Sequence, residues 1–240
     1  MILYKHNQIG DAKMSIRWST ENKKLVELSR KLGLKHNQVI SFDLPAGYTC
    51  PAASLCQSFA HRETGRIRDG KDAEFRCYAA SVESAFTNSR KAHWSNFEAI
   101  KGKTSKEIAR IISESLPKNT KIVRIHSSGD FFNKTYFNAW VMVAKQNPDI
   151  IFYGYTKILD YVKAEKPSNF KLVYSYGGKH DSLRTDEPTC FVVKSESDAK
   201  RLGLPVACPK DDPANDYEYI MQGVSFAIIL HGTQPAKKRS

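Results

Sequence analysis

From residue 121 onward, short apolar runs rich in β-forming residues alternate with amphipathic helical segments. Six such runs follow one another and a seventh lies earlier in the chain; in chain order they read QVISFDL, KIVRIHSSGD, DIIFYGYTK, NFKLVYSYGGKHD, TCFVVKSES, PVACPKDD and GVSFAIILHGT. Strands that alternate with helices are joined by crossover connections and therefore lie parallel in one sheet. The pattern predicts an α/β fold.

Many strands with short intervening helices favour a (β/α) TIM-like barrel, complete or incomplete, over an open doubly wound sheet. The doubly wound alternative is further disfavoured because no run is followed by a glycine-rich dinucleotide fingerprint. The first half of the chain shows helical patterns at about 20–33, 71–86, 92–100 and 104–116, the last opened by Thr104 and Glu107 at capping-box spacing. Because the 240 residues contain no linker or repeat, we expect residues 1–240 to form a single domain.

Polar side chains follow nearly every predicted strand at its carboxyl end. In a barrel the loops at these ends converge over one mouth, where functional groups collect. We expect catalytic roles for His126, Asp130 and Lys157. Substrate contacts are expected from Ser128, Tyr155, Thr156, Lys179 and His180. A purely structural role remains the alternative for three of these residues. His126 would then be a core histidine, Lys157 a solvated lysine and His180 part of a turn. Surface positions are expected for His6, His36, His61 and His93.

The five cysteines form the second signal. Cys50 and Cys208 each follow a predicted strand and precede a proline, and Cys56 and Cys77 lie in the intervening loop and helix, within a loop at about 47–80. Cys190 lies near the beginning of a strand and is expected to be a buried, unligated residue.

Four thiolates match the ligand count of structural zinc and of a [4Fe-4S] cluster. Zinc sites usually have two tightly spaced cysteine pairs, which are absent, so the looser spacing favours the cluster, held by Cys50, Cys56, Cys77 and Cys208 at the carboxyl-end mouth. Unligated buried cysteines remain the alternative. Neither an apolar run of about 18 residues nor a signal-peptide pattern is present, so we expect a cytoplasmic protein without a membrane span, in which disulfides are rare.

The chain is strongly basic, with a formal net charge of +12 and a pI near 9.4. This charge is typical of proteins that bind DNA, RNA, a nucleotide or another phosphate-bearing partner, although it also serves solubility. Nucleic acid or a nucleotide is therefore the expected partner.

Three segments, TCPAASLC…RCYAAS, RIHSSGDFFNKTYFNAWVMVAKQNPDIIFYGYTK and VACPKDD, resemble the bacteriophage gene-product-eighty-eight family. The resemblance covers about residues 40–160 and 204–210 and implies a phage-encoded protein in the host cytoplasm, with little implication for activity. The architecture is also similar, more weakly, to that of radical S-adenosylmethionine enzymes, which implies S-adenosylmethionine as a further cofactor. Those enzymes use a compact Cys-x3-Cys-x2-Cys loop that leaves one iron open, whereas here Cys208 could supply a fourth ligand.

Three functional hypotheses follow from these patterns. The first is a [4Fe-4S] cluster-binding barrel protein that interacts with nucleic acid or a nucleotide. The second is a radical or redox enzyme acting on a phosphate-bearing substrate. The third is a zinc-stabilised hydrolase in which His126 and Asp130 act as base and orienting residue.

Overall fold

The computed structural model describes residues 16–235 of the chain. The strands are β1 (Trp18–Ser19), β2 (Val39–Phe42), β3 (Ser58–Ala60), β4 (Ile67–Asp69), β5 (Ile122–Ile125), β6 (Ile151–Thr156), β7 (Phe170–Ser175), β8 (Thr189–Val193), β9 (Val206–Ala207) and β10 (Phe226–Ile229). The α-helices are α1 (Lys23–Lys31), α2 (Tyr78–Ala85), α3 (Thr87–Ile100), α4 (Ser105–Ser115), α5 (Lys134–Gln146), α6 (Leu159–Lys163), α7 (Glu196–Arg201) and α8 (Asp216–Gln222).

Eight strands form one sheet in the order β1-β2-β5-β6-β7-β8-β10-β9, and β3 pairs with β4 in a separate antiparallel hairpin. Only the β1–β2 pairing within the large sheet is antiparallel. The prediction of an α/β fold with a mostly parallel sheet is therefore confirmed, and all seven predicted strands are present. A closed barrel is not observed, because β1 and β9 lie at opposite ends of the strand order and no pairing between strands of residues 16–235 joins them.

The sheet buries side chains on both faces. Helices α3 to α6 cover one face, where Trp140 of α5 packs with Phe42 and Phe152 in the larger apolar cluster. The opposite face, which we call the α1/α8 face, is covered by α1 and α8 through Leu25 and Ile220. Side chains that alternate along each strand thus serve two separate cores, as expected for strands buried on both sides.

Helix α1 shows that the sheet curves around the α1/α8 face. The helix packs beside β2, yet Lys24 bonds Cys208 and Lys31 pairs with Asp212, and both partners follow β9. In a flat sheet β2 and β9 would lie about 29 Å apart, since six strand spacings separate them. A nine-residue helix is only about 13 Å long, so a flat sheet would not permit these contacts.

The helix boundaries follow local sequence signals. Thr104 and Glu107 form the predicted capping box at the start of α4, and the side chain of Asn22 caps α1 by accepting from the backbone N–H of Lys24. The helix predicted at 71–86 is confined to Tyr78–Ala85, and the one at 92–100 begins earlier, at Thr87. No helix within residues 16–235 combines the length and apolar character needed to cross a membrane.

Candidate functional site

The cysteine loop, residues 47–80, lies against the carboxyl end of β7. The backbone N–H of Leu55 donates to the carbonyl of Gly177 at 3.0 Å, and that of Lys179 donates to the carbonyl of Ala52 at 2.9 Å. An isolated antiparallel bridge pairs Ala53 with Gly178. The loop therefore adds backbone pairing to the turn after β7, which places its cysteines at the carboxyl-end edge of the sheet.

The thiols of Cys50, Cys56 and Cys77 are electrostatic neighbours. Burial raises the pKa of Cys50 well above its usual value, and Asp130, Cys77 and Cys56 raise it further. Burial and then Cys56 raise the pKa of Cys77 to about 11. All three side chains are nevertheless partly exposed. At neutral pH the Cys50 and Cys77 thiols are thus protonated, chiefly because burial disfavours the charged thiolate.

Cys77 occupies the N-cap position of α2. The backbone N–H groups of Ala79 and Ala80 in the first turn act against burial and lower the pKa of Cys77, and so does the ammonium group of Lys157. A helix N-terminus and a nearby lysine are features that favour a thiolate. This position therefore suits a cysteine that becomes negatively charged when a cation binds.

Cys208 is bound to α1 and to the residue that precedes α8. Its Sγ accepts from Nζ of Lys24 at 2.9 Å, and its backbone, at a φ of 60°, is held by a 2.6 Å bond from its N–H to Oδ1 of Asn215. Burial and Asp216 raise the pKa of Cys208, whereas Lys24 lowers it. The structure thus makes electrostatic neighbours of Cys50, Cys56 and Cys77, and a common site for all four predicted ligands stays a prediction. Cys190 is buried at the start of β8, as expected.

Asp130 and Lys157 bind backbone groups beside the cysteines. The Asp130 carboxylate accepts from the backbone N–H groups of Phe131 at 2.7 Å and Lys157 at 2.9 Å. Burial raises the pKa of Asp130 to about 6, although these hydrogen bonds act to lower it. Nζ of Lys157 donates to the carbonyls of Ser175 and Tyr176, at 3.0 and 2.7 Å. Both side chains therefore join neighbouring loops at the carboxyl-end edge of the sheet.

His126 lies between β5 and α5. Its Nε2 is 2.7 Å from the hydroxyl of Tyr136, and its buried Nδ1 has no hydrogen-bond partner in the described part of the chain. Burial, with a smaller effect of His93, lowers the pKa of His126 to about 3, so the ring is neutral at physiological pH. No hydrogen bond joins His126 to Asp130 within residues 16–235, and the base and orienting pair of the hydrolase hypothesis stays a prediction.

The predicted substrate-binding residues are engaged with protein groups. Tyr155 donates to Asp216, and Thr156 accepts from the backbone of Ile158. Lys179 donates to the carbonyl of Pro51. Nδ1 of His180 accepts from the backbone N–H of Leu159 at 3.3 Å, which agrees with the turn alternative. Ser128 donates to Leu44 and also lies 2.8 Å from Glu83. Each of these side chains thus contacts another part of the protein, Tyr155 on β6 with α8 and the others with loops or turns.

A buried polar group around Glu83 was not predicted. Oε1 of Glu83 accepts from the backbone N–H of Ala46 and lies 2.7 Å from Nδ1 of His93, while Oε2 has no partner in the part of the chain described. The expectation that His93 is a surface residue is wrong, because α3 turns this residue toward Glu83 in the interior. His36 and His61 are exposed as expected, and His6 lies outside the described residues.

The comparisons with known proteins identify a family. The family model described as Gene product 88 matches residues 10–237. The chain is 29% identical over 150 residues to the Gene 88 protein of Mycobacterium phage L5 and 30% identical over 150 residues to that of Mycobacterium phage D29. Each alignment covers 56% of this chain and, respectively, 56% and 55% of the relative, so the chain spans about half the length of the curated relatives it matches.

No solved structure matches the chain. The comparisons accordingly give no support to the weaker resemblance to radical S-adenosylmethionine enzymes, whereas the resemblance to a phage family is confirmed. The chain belongs to the gene product 88 family.

Proposed function

We propose that this protein is a phage-encoded iron–sulfur protein in which Cys50, Cys56 and Cys77 bind a [4Fe-4S] cluster. The observation that carries the proposal is the electrostatic coupling of three thiols that are distant in sequence and meet at the carboxyl-end edge of the sheet. Thiolates are the ligands that such clusters use. The positive charge of the irons would reverse the effect of burial on the pKa values of these thiols.

The sequence spacing of the cysteines is our reason for proposing a cluster rather than zinc. Zinc sites usually combine two tightly spaced cysteine pairs, whereas five residues separate Cys50 from Cys56 and twenty separate Cys56 from Cys77. Within residues 16–235 no group of three His, Cys, Asp or Glu side chains is arranged to hold a metal ion, so the proposal rests on the neighbouring thiols alone.

The position of Cys208 favours a second candidate function. Three thiolate ligands would leave one iron of the cluster without a cysteine, which is the arrangement that an enzyme using S-adenosylmethionine requires. A radical or redox enzyme acting on a phosphate-bearing substrate therefore remains our alternative. In that case the cluster would supply electrons, and Lys157, whose ammonium group lowers the pKa of Cys77, would contribute positive charge beside it.

The partner we propose is single-stranded nucleic acid. Its support is an aromatic patch that consists of Tyr48, Arg62, Trp94 and Phe97. Tyr48 is 58% exposed, and its ring lies 4.8 Å from that of Trp94 and 5.4 Å from that of Phe97. The Arg62 guanidinium lies 4.7 Å above the Trp94 ring. An exposed aromatic ring with further rings and a cation beside it is the kind of surface on which unpaired bases stack without sequence preference.

Positive charge continues along α3 next to the aromatic patch. Lys91 lies one helical turn before Trp94 and lines an open depression together with Arg17, Asn88, Ala92 and Ser95. The net charge of +12 gives the whole molecule an attraction for phosphate. We further propose that the chain forms a single domain with an incomplete (β/α) barrel and acts in the host cytoplasm. The curved sheet supports the incomplete barrel.

Metal analysis of anaerobically purified protein tests the cluster. We expect visible absorption and about four iron and four sulfide per chain. Cys56→Ala should lose most of both, whereas Cys190→Ala, which removes a buried cysteine of the sheet, should retain them. A colourless protein that contains zinc and no sulfide would contradict the proposal.

A further inference from the structure

The α1/α8 face contains polar side chains that the proposed cluster does not use. We call them the buried charge cluster, and its members are Lys24 on α1, Arg124 on β5, Tyr155 on β6, Cys208 after β9 and Asp216 on α8. Hydrogen bonds join Lys24 to Cys208 and Asp216, and Tyr155 to Asp216. The Arg124 guanidinium lies 5.5 Å from the centre of the Tyr155 ring. Five separate elements thus converge inside the curved sheet.

The carboxylate of Asp216 is already paired. The residue is 2% exposed, and its Oδ2 accepts from Nζ of Lys24 at 3.0 Å and from the hydroxyl of Tyr155 at 2.6 Å. Burial alone would raise the pKa of Asp216, but Lys24 and Arg124 hold it below its usual value. Asp216 is therefore ionised, and its hydrogen bonds go to Lys24 and Tyr155 rather than to Arg124.

Asp43 is the other carboxylate that acts on Arg124 electrostatically. Its Oδ1 accepts from the backbone N–H groups of Ser127 at 2.5 Å and Ser128 at 3.2 Å. Its Oδ2 accepts from the hydroxyl of Ser41 at 2.6 Å. Oδ1 thus holds the turn after β5 and Oδ2 bonds Ser41 of β2, so Asp43 also leaves the guanidinium without a hydrogen-bonded partner.

Arg124 is a buried cation without a hydrogen bond. It is 9% exposed, its buried Nε has no partner, and its guanidinium makes no hydrogen bond or salt bridge to any residue between 16 and 235. Burial alone would lower its pKa, but Tyr153, Asp216 and Tyr155 raise it, so the group stays charged. Leaving the Nε–H donor of a charged guanidinium buried and unpaired is costly. A guanidinium in this state is typical of a site that is completed by a ligand.

We propose that Arg124 binds the oxyanion of a small ligand, a carboxylate or a phosphate group, at the buried charge cluster. The planar guanidinium offers a fork of donors that matches two oxygens of such a group. Lys24 adds a second positive charge, and its side chain is 19% exposed. Cys208 and Ser127 are also partly exposed, so the cluster opens to solvent next to α1.

The first turn of α1 supports this location. Nδ2 of Asn22, the cap of α1, lies 3.5 Å from Oγ of Ser127, which places the amino end of the helix beside the carboxyl end of β5. The positive end of the helix dipole therefore acts at the same edge as Arg124. The two cations and the positive end of the helix dipole face two carboxylates, Asp216 and Asp43, which already accept hydrogen bonds from other groups, so Arg124 keeps its donors for an anion.

Calorimetric titration of the full chain with inorganic phosphate and, separately, with acetate tests the proposal at constant ionic strength. We expect saturable binding of at least one anion, and the anion that binds distinguishes a phosphoryl from a carboxylate ligand. Arg124→Lys keeps the charge but loses the fork, so it should weaken binding about tenfold. Arg124→Gln should abolish binding.

Arg110→Gln is the matched control, because it removes an exposed arginine that pairs with Glu114 on α4. It should bind like the wild type. If Arg124→Gln does not fold, the NMR signal of the Arg124 Nε–H group is followed instead. The lysine variant assigns this signal, which should shift when the protein is saturated with the anion. The proposal is overturned if neither anion binds, if Arg124→Lys binds as tightly as the wild type, or if the signal does not move.

Discussion

Lys24 donates through Nζ to Sγ of Cys208 across 2.9 Å, and this bond holds Cys208 in the buried charge cluster. The three coupled thiols of Cys50, Cys56 and Cys77 have different neighbours, namely Asp130 and Lys157. Cys50 and Cys208, which both follow a strand and precede a proline, thus have different partners in the structure. This difference in partners bears directly on how many cysteines would bind a cluster.

Cys208→Ala should retain the iron and sulfide of the wild-type protein, because the Cys208 thiol is already bound by Lys24. Cys50→Ala should lose most of both, since it removes one of three ligands. Iron and sulfide analysis of anaerobically purified variants measures the difference. Loss of the cluster from Cys208→Ala would instead restore the four-cysteine ligand set expected from sequence.

The parallel strands were predictable because each combines a β-rich apolar run with turn residues at its end. Helix α8 was not predicted, since it is short and lies directly after the polar segment PKDDPAND. The β3–β4 hairpin was also missed, because three-residue strands carry too little periodicity.

The candidate site was predictable only in part. The sequence places Cys50 and Cys208 after strands, but the direction in which a side chain points after a strand depends on the turn, and Cys208 has a positive φ. Arg124 interrupts an otherwise apolar strand, KIVRIH, and this was the available signal for a buried charge. The pairing of Asp216 with Lys24 depends on sheet curvature, which no local pattern encodes.

The Cys77 thiol of the metal-free protein should react slowly with iodoacetamide at pH 7. Its pKa is about 11, so the reactive thiolate is scarce until the pH approaches that value. In the unfolded chain the thiol ionises near pH 8.5, so this group destabilises the metal-free fold progressively as the pH rises above that value. Mass spectrometry of alkylated peptides, with the urea-unfolded protein as the reference, measures the rate. Equal rates at pH 7 in the folded and unfolded protein would contradict this assignment.

Asp130 should make the metal-free protein more stable in mild acid than at neutral pH. Its pKa is about 6 in the fold and near 3.9 when unfolded, so its contribution is fully present below pH 3.9 and is lost as the pH rises through 6. From pH 7.5 to 4.5 the wild type should gain roughly 2 kcal/mol relative to Asp130→Asn.

The readout for Asp130 is the difference in pH dependence between the two proteins, measured by urea unfolding. Asp130→Asn should itself be less stable at both pH values, because an amide has one acceptor oxygen for the two backbone N–H groups of Phe131 and Lys157. Parallel pH profiles would show that Asp130 does not titrate in this range.

Trp94→Ala should weaken binding of a single-stranded oligonucleotide by about tenfold, because it removes the ring that contacts Tyr48 and lies under Arg62. Lys91→Ala should weaken binding and also reduce its dependence on salt, because a lysine that neutralises a phosphate releases a counterion. Fluorescence anisotropy with a labelled oligonucleotide at several salt concentrations separates the two effects. Phe86→Ala is the control, because Phe86 is exposed but makes no ring contact with the patch among the described residues. If Trp94→Ala and Phe86→Ala bind alike, the aromatic patch is not the nucleic-acid interface.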